Sequence, residues 1–334
     1  MNDSKSPIAL KTSMKEAINM ALHDAMEDDK MVFLLGEDVG DAEGGGVVEV
    51  TKGLSTKFGD ERVRSTPISE QAIVGAAIGA ALGGMRPVAE IMLMNFTTVA
   101  MDMITNHAAK LRFMSGGQTH VPITIRMMTG AGVSNGGQHS DFLEAWFAHT
   151  PGLKVIVPSN PADAYGLLRS CIDDPDPCIF VETLPAYWTE GVAPVRGTRV
   201  PLSSAAVLRQ GSDVTIVSYG RQVNDVLAIA DSLKSTLSIE VIDLRTVAPF
   251  DERTILTSIR KTGRVVIVHE AVKQFGVGAE LSARICEKAF RQLKAPICRV
   301  CGRYSPVPFS KPLENAFVPS QADIEAALRG IMTG

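Results

Sequence analysis

The sequence is poor in the features that would place it quickly. It has five cysteines in 334 residues (Cys171, Cys178, Cys286, Cys298 and Cys301). An odd number, spread through a long chain with no export signal, argues against a disulfide framework and for free thiols in a reducing compartment. Cys298 and Cys301 form a CxxC in the apolar segment 296–302, which reads as a strand, where positions three apart face opposite ways. No second ligand pair accompanies them, so they read as structural rather than as a zinc or redox site.

An excess of one charge is also missing: 33 Lys and Arg stand against 37 Asp and Glu, scattered rather than clustered. Nothing favours a nucleic acid or an anionic membrane as partner, which leaves proteins and small molecules. The most apolar stretch, 72–85, runs for about 14 residues before Arg86-Pro87, short of the roughly 20 that a membrane span requires, and reads as a buried helix. The opening MNDSKSPIAL has neither an apolar core nor an Arg-rich amphipathic pattern, so a cytoplasmic location is expected. There is no GxxxxGK[ST] and no HExxH, and Gly276-Val-Gly278 lacks the third glycine of a dinucleotide fingerprint.

What is present is a repeated alternation of strands and helices. A hydrophobic content of 45% over this length suits two α/β domains, each with its own core. Ser13 and Glu16 form a capping box ahead of apolar residues at helical spacing. The run 31–35 reads as a buried parallel strand opening into a functional loop at Gly36-Glu37-Asp38. Helices are expected near 69–84, 97–114 and 161–172, the last capped by Asn160-Pro161, and strands near 87–93, 122–127, 153–157 and 178–182. After a Pro, Gly and Thr-containing lapse, the alternation resumes with strands near 213–219, 239–243, 264–269 and 297–301 and helices near 221–234, 251–260 and 277–290. The expected division is 1–184, a linker at 185–204, and 205–334. Both parts should carry mostly parallel sheets.

Three features could bear chemistry. Glu70 stands in the first turn of an otherwise apolar helix, either as a solvated dipole carboxylate or as a buried acid able to hold a proton at neutral pH. Gly75, Gly79 and Gly83 recur every four residues on that helix, so the flat face packs either on the home sheet or against a partner helix. His139 lies in the Gly-rich loop 129–141 at a strand's carboxyl end, as a surface residue or as a catalytic group at a sheet crevice.

Taken in order, LGEDV (35–39), TPISE (66–70), Arg86-Pro87 with 90–96, MSGG (114–117), QHS (138–140), PGLKV (151–155) and FGVG (275–278) resemble the beta subunit of the thiamine-diphosphate-dependent decarboxylase component of 2-oxoacid (pyruvate or branched-chain) and acetoin dehydrogenases. The resemblance runs from about residue 8 to residue 330. It implies a transketolase-like pyrimidine-binding domain followed by a transketolase C-terminal α/β domain.

It also implies that Glu70 hydrogen-bonds the cofactor's aminopyrimidine and so promotes loss of the thiazolium proton, with Ile68, Met92 and Phe96 packed around the ring. His139 would handle a proton as the acyl group passes to a lipoyl carrier. Main-chain oxygens of Ile123, Cys171, Ile172, Asp174 and Asp176 would hold a potassium ion, although the segment 173–177 also reads as a plain helix-end turn. Two departures flank this site, Asp141 where relatives commonly carry Gln and the less aromatic 92–95, and both bear on substrate preference.

The GDG and Asn-Asn elements that hold Mg²⁺ and pyrophosphate in such enzymes are absent from this chain. The resemblance therefore implies an alpha partner in an α2β2 assembly and a lipoyl acyltransferase core that docks on it. Pyruvate, branched 2-oxoacids and acetoin stand open as substrates. A split transketolase-like subunit acting on a sugar phosphate, or a noncatalytic scaffold for an alpha partner, are the competing readings.

Overall fold

The computed structural model describes residues 10–333, so the opening segment MNDSKSPIAL lies mostly outside the described residues. The first helix, Met14–Asp28, begins as its capping box requires: Ser13 Oγ accepts from Glu16 N at 3.2 Å, and Glu16 Oε2 accepts from Ser13 N at 2.9 Å. Asn160 caps Pro161–Asp173 by accepting from Asp163 N at 3.0 Å.

A seven-stranded sheet organises the first part, in the order Thr246–Ala248, Lys154–Ile156, Cys178–Thr183, Thr124–Thr129, Arg86–Leu93, Val32–Gly36, Val63–Ser65. All neighbours pair parallel except Thr246–Ala248, which lies antiparallel against Lys154–Ile156. Val32–Gly36, Thr124–Thr129 and Cys178–Thr183 are buried along their whole lengths, because crossover helices cover both faces. A five-stranded sheet organises the second part: Cys298–Gly302, Val265–Val272, Val214–Ser218, Ile239–Asp243 and an antiparallel edge strand, Ala206–Arg209.

Four results depart from the sequence pattern. The helix expected over 97–114 is a composite of Thr97–Asp102, a π-helical turn at Met103–Ala108 and Leu111–Met114. Four helices stand beyond those expected, Leu54–Phe58, Glu144–Ala148, Lys311–Phe317 and Gln321–Thr333. The stretch 185–204 is not free chain throughout, since Glu190–Val192 pairs antiparallel with Lys11–Ser13.

Most consequentially, although each part has an apolar cluster of its own, the two also share one. The largest apolar cluster joins Ile73, Met127 and Val181 to Val217, Leu244, Ile255 and Leu281. The physical reason is Thr246–Ala248, a strand from the second part that hydrogen-bonds into the first sheet and carries its neighbours there. Among the described residues, no helix is long and apolar enough to cross a membrane.

Candidate active site

Parallel strands deliver their carboxyl ends to one edge of a sheet, and that edge collects the residues singled out above. Glu37 follows Val32–Gly36, Glu70 follows Val63–Ser65, Phe96 follows Arg86–Leu93, and the His139 loop follows Thr124–Thr129. Gly36 is required here, because a Cβ at that position would stand 2.8 Å from the Glu90 carbonyl oxygen.

Glu70 opens the helix Glu70–Leu82 and is buried, only 7% exposed, which corrects the solvated reading. A second acid, Glu37, stands close enough to feel its charge. Glu37 is buried, its Oε1 has no hydrogen-bond partner, and its carboxyl titrates above the usual range, first through burial and then through the negative charge of Glu70. A proton is thus held more easily on Glu37 than it would be in water. Ile68, two residues before Glu70, is 82% exposed, an apolar side chain with nothing of its own chain to cover it.

Phe96 and His139 are brought together. Their rings meet edge-to-face with centroids 5.6 Å apart, and His139 Nδ1 is buried without a partner. The geometry is fixed by Asn95, whose Nδ2 donates to Gly137 O and to Asp141 Oδ2, each at 3.0 Å, while its Oδ1 accepts from Asp141 N at 3.2 Å. Thr129 Oγ1 adds a bond to Asp141 O at 2.7 Å. Asp141, the departure noted above, is therefore a clasp across the base of the loop. Burial pushes its carboxyl pKa up, against the opposing Asn95 hydrogen bond.

Met92 is partly buried and lines a small recess with Glu90, Arg126, Glu182 and Val48. Beneath it lies a buried charge cluster. Arg126 donates to Glu182 from Nε at 2.7 Å and from Nη2 at 2.9 Å, and from Nη1 to Glu90 at 2.6 Å; Tyr187 Oη donates to Glu182 at 2.5 Å.

The helix glycines do not all face the home sheet. Ile73, Val74, Ala77, Ile78 and Ala81 form the buried side; a Cβ on Gly75 would meet Met103, and one on Gly79 would meet nothing within 4 Å. The suggested cation ligands lie around the end of Pro161–Asp173 and the start of the strand Cys178–Thr183. Ile123 O accepts from Cys178 N at 2.9 Å, Cys171 O from Asp174 N at 3.2 Å and Ile172 O from Arg86 Nη1 at 2.9 Å. The Lys154 ammonium lies 2.6 Å from both Asp174 carboxylate oxygens, and Arg112 sits on Asp176.

Comparison with known proteins matches this arrangement. Residues 11–188 fit the model for "Transketolase, pyrimidine binding domain" and 203–324 that for "Transketolase, C-terminal domain". The chain is 46% identical, over 98% of its length and 99% of the relative's, to the beta subunit of acetoin:2,6-dichlorophenolindophenol oxidoreductase of Cupriavidus necator. The chain belongs to the family of 2-oxoacid and acetoin dehydrogenase beta subunits.

A second member, the mitochondrial pyruvate dehydrogenase E1 component subunit beta-2 of Oryza sativa subsp. japonica, is 43% identical over 97% of this chain and 87% of the relative. Among solved structures, a split gene transketolase described as an inactive beta4 tetramer superposes with a TM-score of 0.78 at 21% identity, covering 96% of this chain and 98% of that one. That likeness is one of fold. The dehydrogenase family, not the split transketolase, is where the sequence identity lies.

Proposed function

We propose that this beta subunit forms the pyrimidine-side half of a thiamine diphosphate site and, with an alpha subunit, decarboxylates a 2-oxoacid such as pyruvate or cleaves acetoin, passing the acyl group to a lipoyl carrier. The observation that carries the reading is the pairing of Phe96 with His139 at the strand edge where buried Glu70 and Glu37 also end. The orphan atoms Glu37 Oε1 and His139 Nδ1, together with exposed Ile68, fit a partly polar, partly apolar heterocycle. When bound, thiamine diphosphate would supply a carbon acid whose deprotonated form is the nucleophile for the substrate carbonyl, and a cationic ring able to take up the electron pair released on cleavage.

The chain's own residues do the following. Glu70 shares its proton with a ring nitrogen of the aminopyrimidine, in a corner dry enough to keep that exchange from bulk water. Ile68, Met92 and Phe96 pack on the ring, and Asn95 with Asp141 holds the His139 loop to the Phe96 segment. His139 supplies the proton taken up when a lipoyl disulfide opens to a thiolate and an acyl thioester.

Mg²⁺ and the pyrophosphate belong to the alpha subunit in this reading, which gives the open Gly79 face a packing role in the α2β2 assembly. A potassium ion on the main-chain oxygens of Ile123, Cys171, Ile172, Asp174 and Asp176 would be structural, beside the guanidinium that Arg86 places on Ile172 O. A rise in melting temperature on replacing Na⁺ by K⁺ tests it. A lipoyl acyltransferase core completes the assembly.

The deciding experiment is co-expression with the alpha subunit, followed by dye reduction across pyruvate, branched 2-oxoacids, acetoin and ketose phosphates. Turnover of a 2-oxoacid or acetoin is expected. Absence of turnover on all of them with cofactor bound would overturn the reading.

A further inference from the structure

The loop that carries His139 takes its shape from the other domain. Gly130, Gly132, Ser134 and Gly136 all have left-handed backbone, with φ of 112°, 123°, 60° and 74°, and they alternate with residues of ordinary hand. Such alternation turns successive N–H groups to one side and makes a concavity suited to an anion. The anion is a side chain from the second domain. Glu314, fully buried on the helix Lys311–Phe317, accepts at one oxygen from Gly132 N at 2.6 Å and from Ser134 N at 2.9 Å.

Neighbouring residues complete the grip. Lys311 Nζ donates to Gly132 O at 2.5 Å and to the second Glu314 oxygen at 3.1 Å. Glu270, at the end of the second sheet's long strand, accepts from Ala131 N at 2.6 Å. A Cβ on Gly136 would stand 2.5 Å from the Phe309 ring, so this turn is moulded against the same segment. Ser134 holds a left-handed conformation that costs a non-glycine residue energy, and the bond to Glu314 offsets it. Burial alone would raise the Glu314 carboxyl pKa, yet the Gly132 and Ser134 N–H groups and Lys311 hold it below its ordinary value, so it stays charged.

We propose that Glu314, assisted by Lys311, is a positioning residue that sets the His139 imidazole against Phe96 for acyl transfer. The inference rests on the acyl-transfer role given to His139 above. The upstream limb of the loop is then fixed by the second domain and the downstream limb by Asn95. Geometry of this kind governs rate more than binding, because displacements on the order of an ångström misalign a proton donor.

The test uses the reconstituted heterotetramer and two assays, dye-linked substrate oxidation and acylation of an isolated lipoyl domain. Glu314→Gln is expected to lower the ratio of lipoyl acylation to dye reduction on the order of 10- to 100-fold. In a His139→Ala background the same change should lower it no further, since two residues acting through one group are not additive. Equal loss in both assays, or an undiminished effect of Glu314→Gln in the His139→Ala background, would overturn the proposal. If His139→Ala alone leaves lipoyl acylation intact, the role given to His139 fails instead. Should Glu314→Gln not assemble, Lys311→Met, whose side chain is 53% exposed, carries the same comparison with a smaller change expected.

Discussion

The Phe96 ring meets the His139 imidazole edge-on, 5.6 Å between centroids and 77° between planes, across a gap of more than forty residues in sequence. Edge-to-face packing sets the positive rim of one ring against the negative face of the other, so the contact orients the imidazole. Phe96→Leu keeps the apolar volume and removes the contact, which is worth about 0.5–1.5 kcal/mol. Lipoyl-domain acylation by the heterotetramer should fall by roughly that much in transition-state free energy while the melting temperature holds. An unchanged acylation rate would mean that the contact is packing alone.

Glu70 is an acid at the buried start of an apolar helix. Glu70→Gln is isosteric, so assembly with the alpha subunit should survive, whereas hydrogen–deuterium exchange at the cofactor's reactive carbon should slow by about 10²–10⁴-fold. Exchange at the wild-type rate in an assembled, cofactor-loaded variant would remove Glu70 from the role assigned to it.

Stability should depend on pH through Glu144. Burial raises its carboxyl pKa from 4.5 to about 7, against the opposing hydrogen bond from Tyr219, which donates to Oε1 at 2.7 Å; Oε2 has no partner. The folded chain therefore binds a proton that the unfolded chain releases between those values. That contribution is fully present below about pH 4.5 and is lost as pH rises through about 7. Glu144→Gln should flatten the fall in melting temperature across this window, and a slope identical to wild type would exclude Glu144 as its source.

Arg126 is 2% exposed between Glu90 and Glu182. Removing it as Arg126→Leu leaves buried Glu182 and half-buried Glu90 without their cation, which typically costs about 3–5 kcal/mol. Urea denaturation of the purified subunit should show a loss of unfolding free energy of that size. Double replacement of Arg126 and Glu182 by apolar residues should recover part of it.

What could be read from the sequence depended on how local each signal was. Val32–Gly36, Pro161–Asp173 and the helix beginning at Glu70 announce themselves by apolar runs, a capping pair and an out-of-place acid within a few residues. Phe96 has no such local mark, and its role followed only from the order of motifs along the chain. Glu37 went unassigned because an acid after a strand is ordinary in a loop, and only burial beside Glu70 makes it unusual. Glu314 was invisible for a different reason: its partner Gly132 is 182 positions away, and no pattern in either segment encodes the other. Thr246–Ala248 was missed because three residues before a proline carry too little alternation to read as a strand.

That short strand has a further consequence. Lys154–Ile156 would be an open, mostly buried edge without it, a template for unwanted strand pairing. A fragment ending at the linker would therefore expose both a sheet edge and half of a shared core. The two regions matched separately by the family models are units of descent, inherited as modules, yet they are packed through one shared apolar cluster.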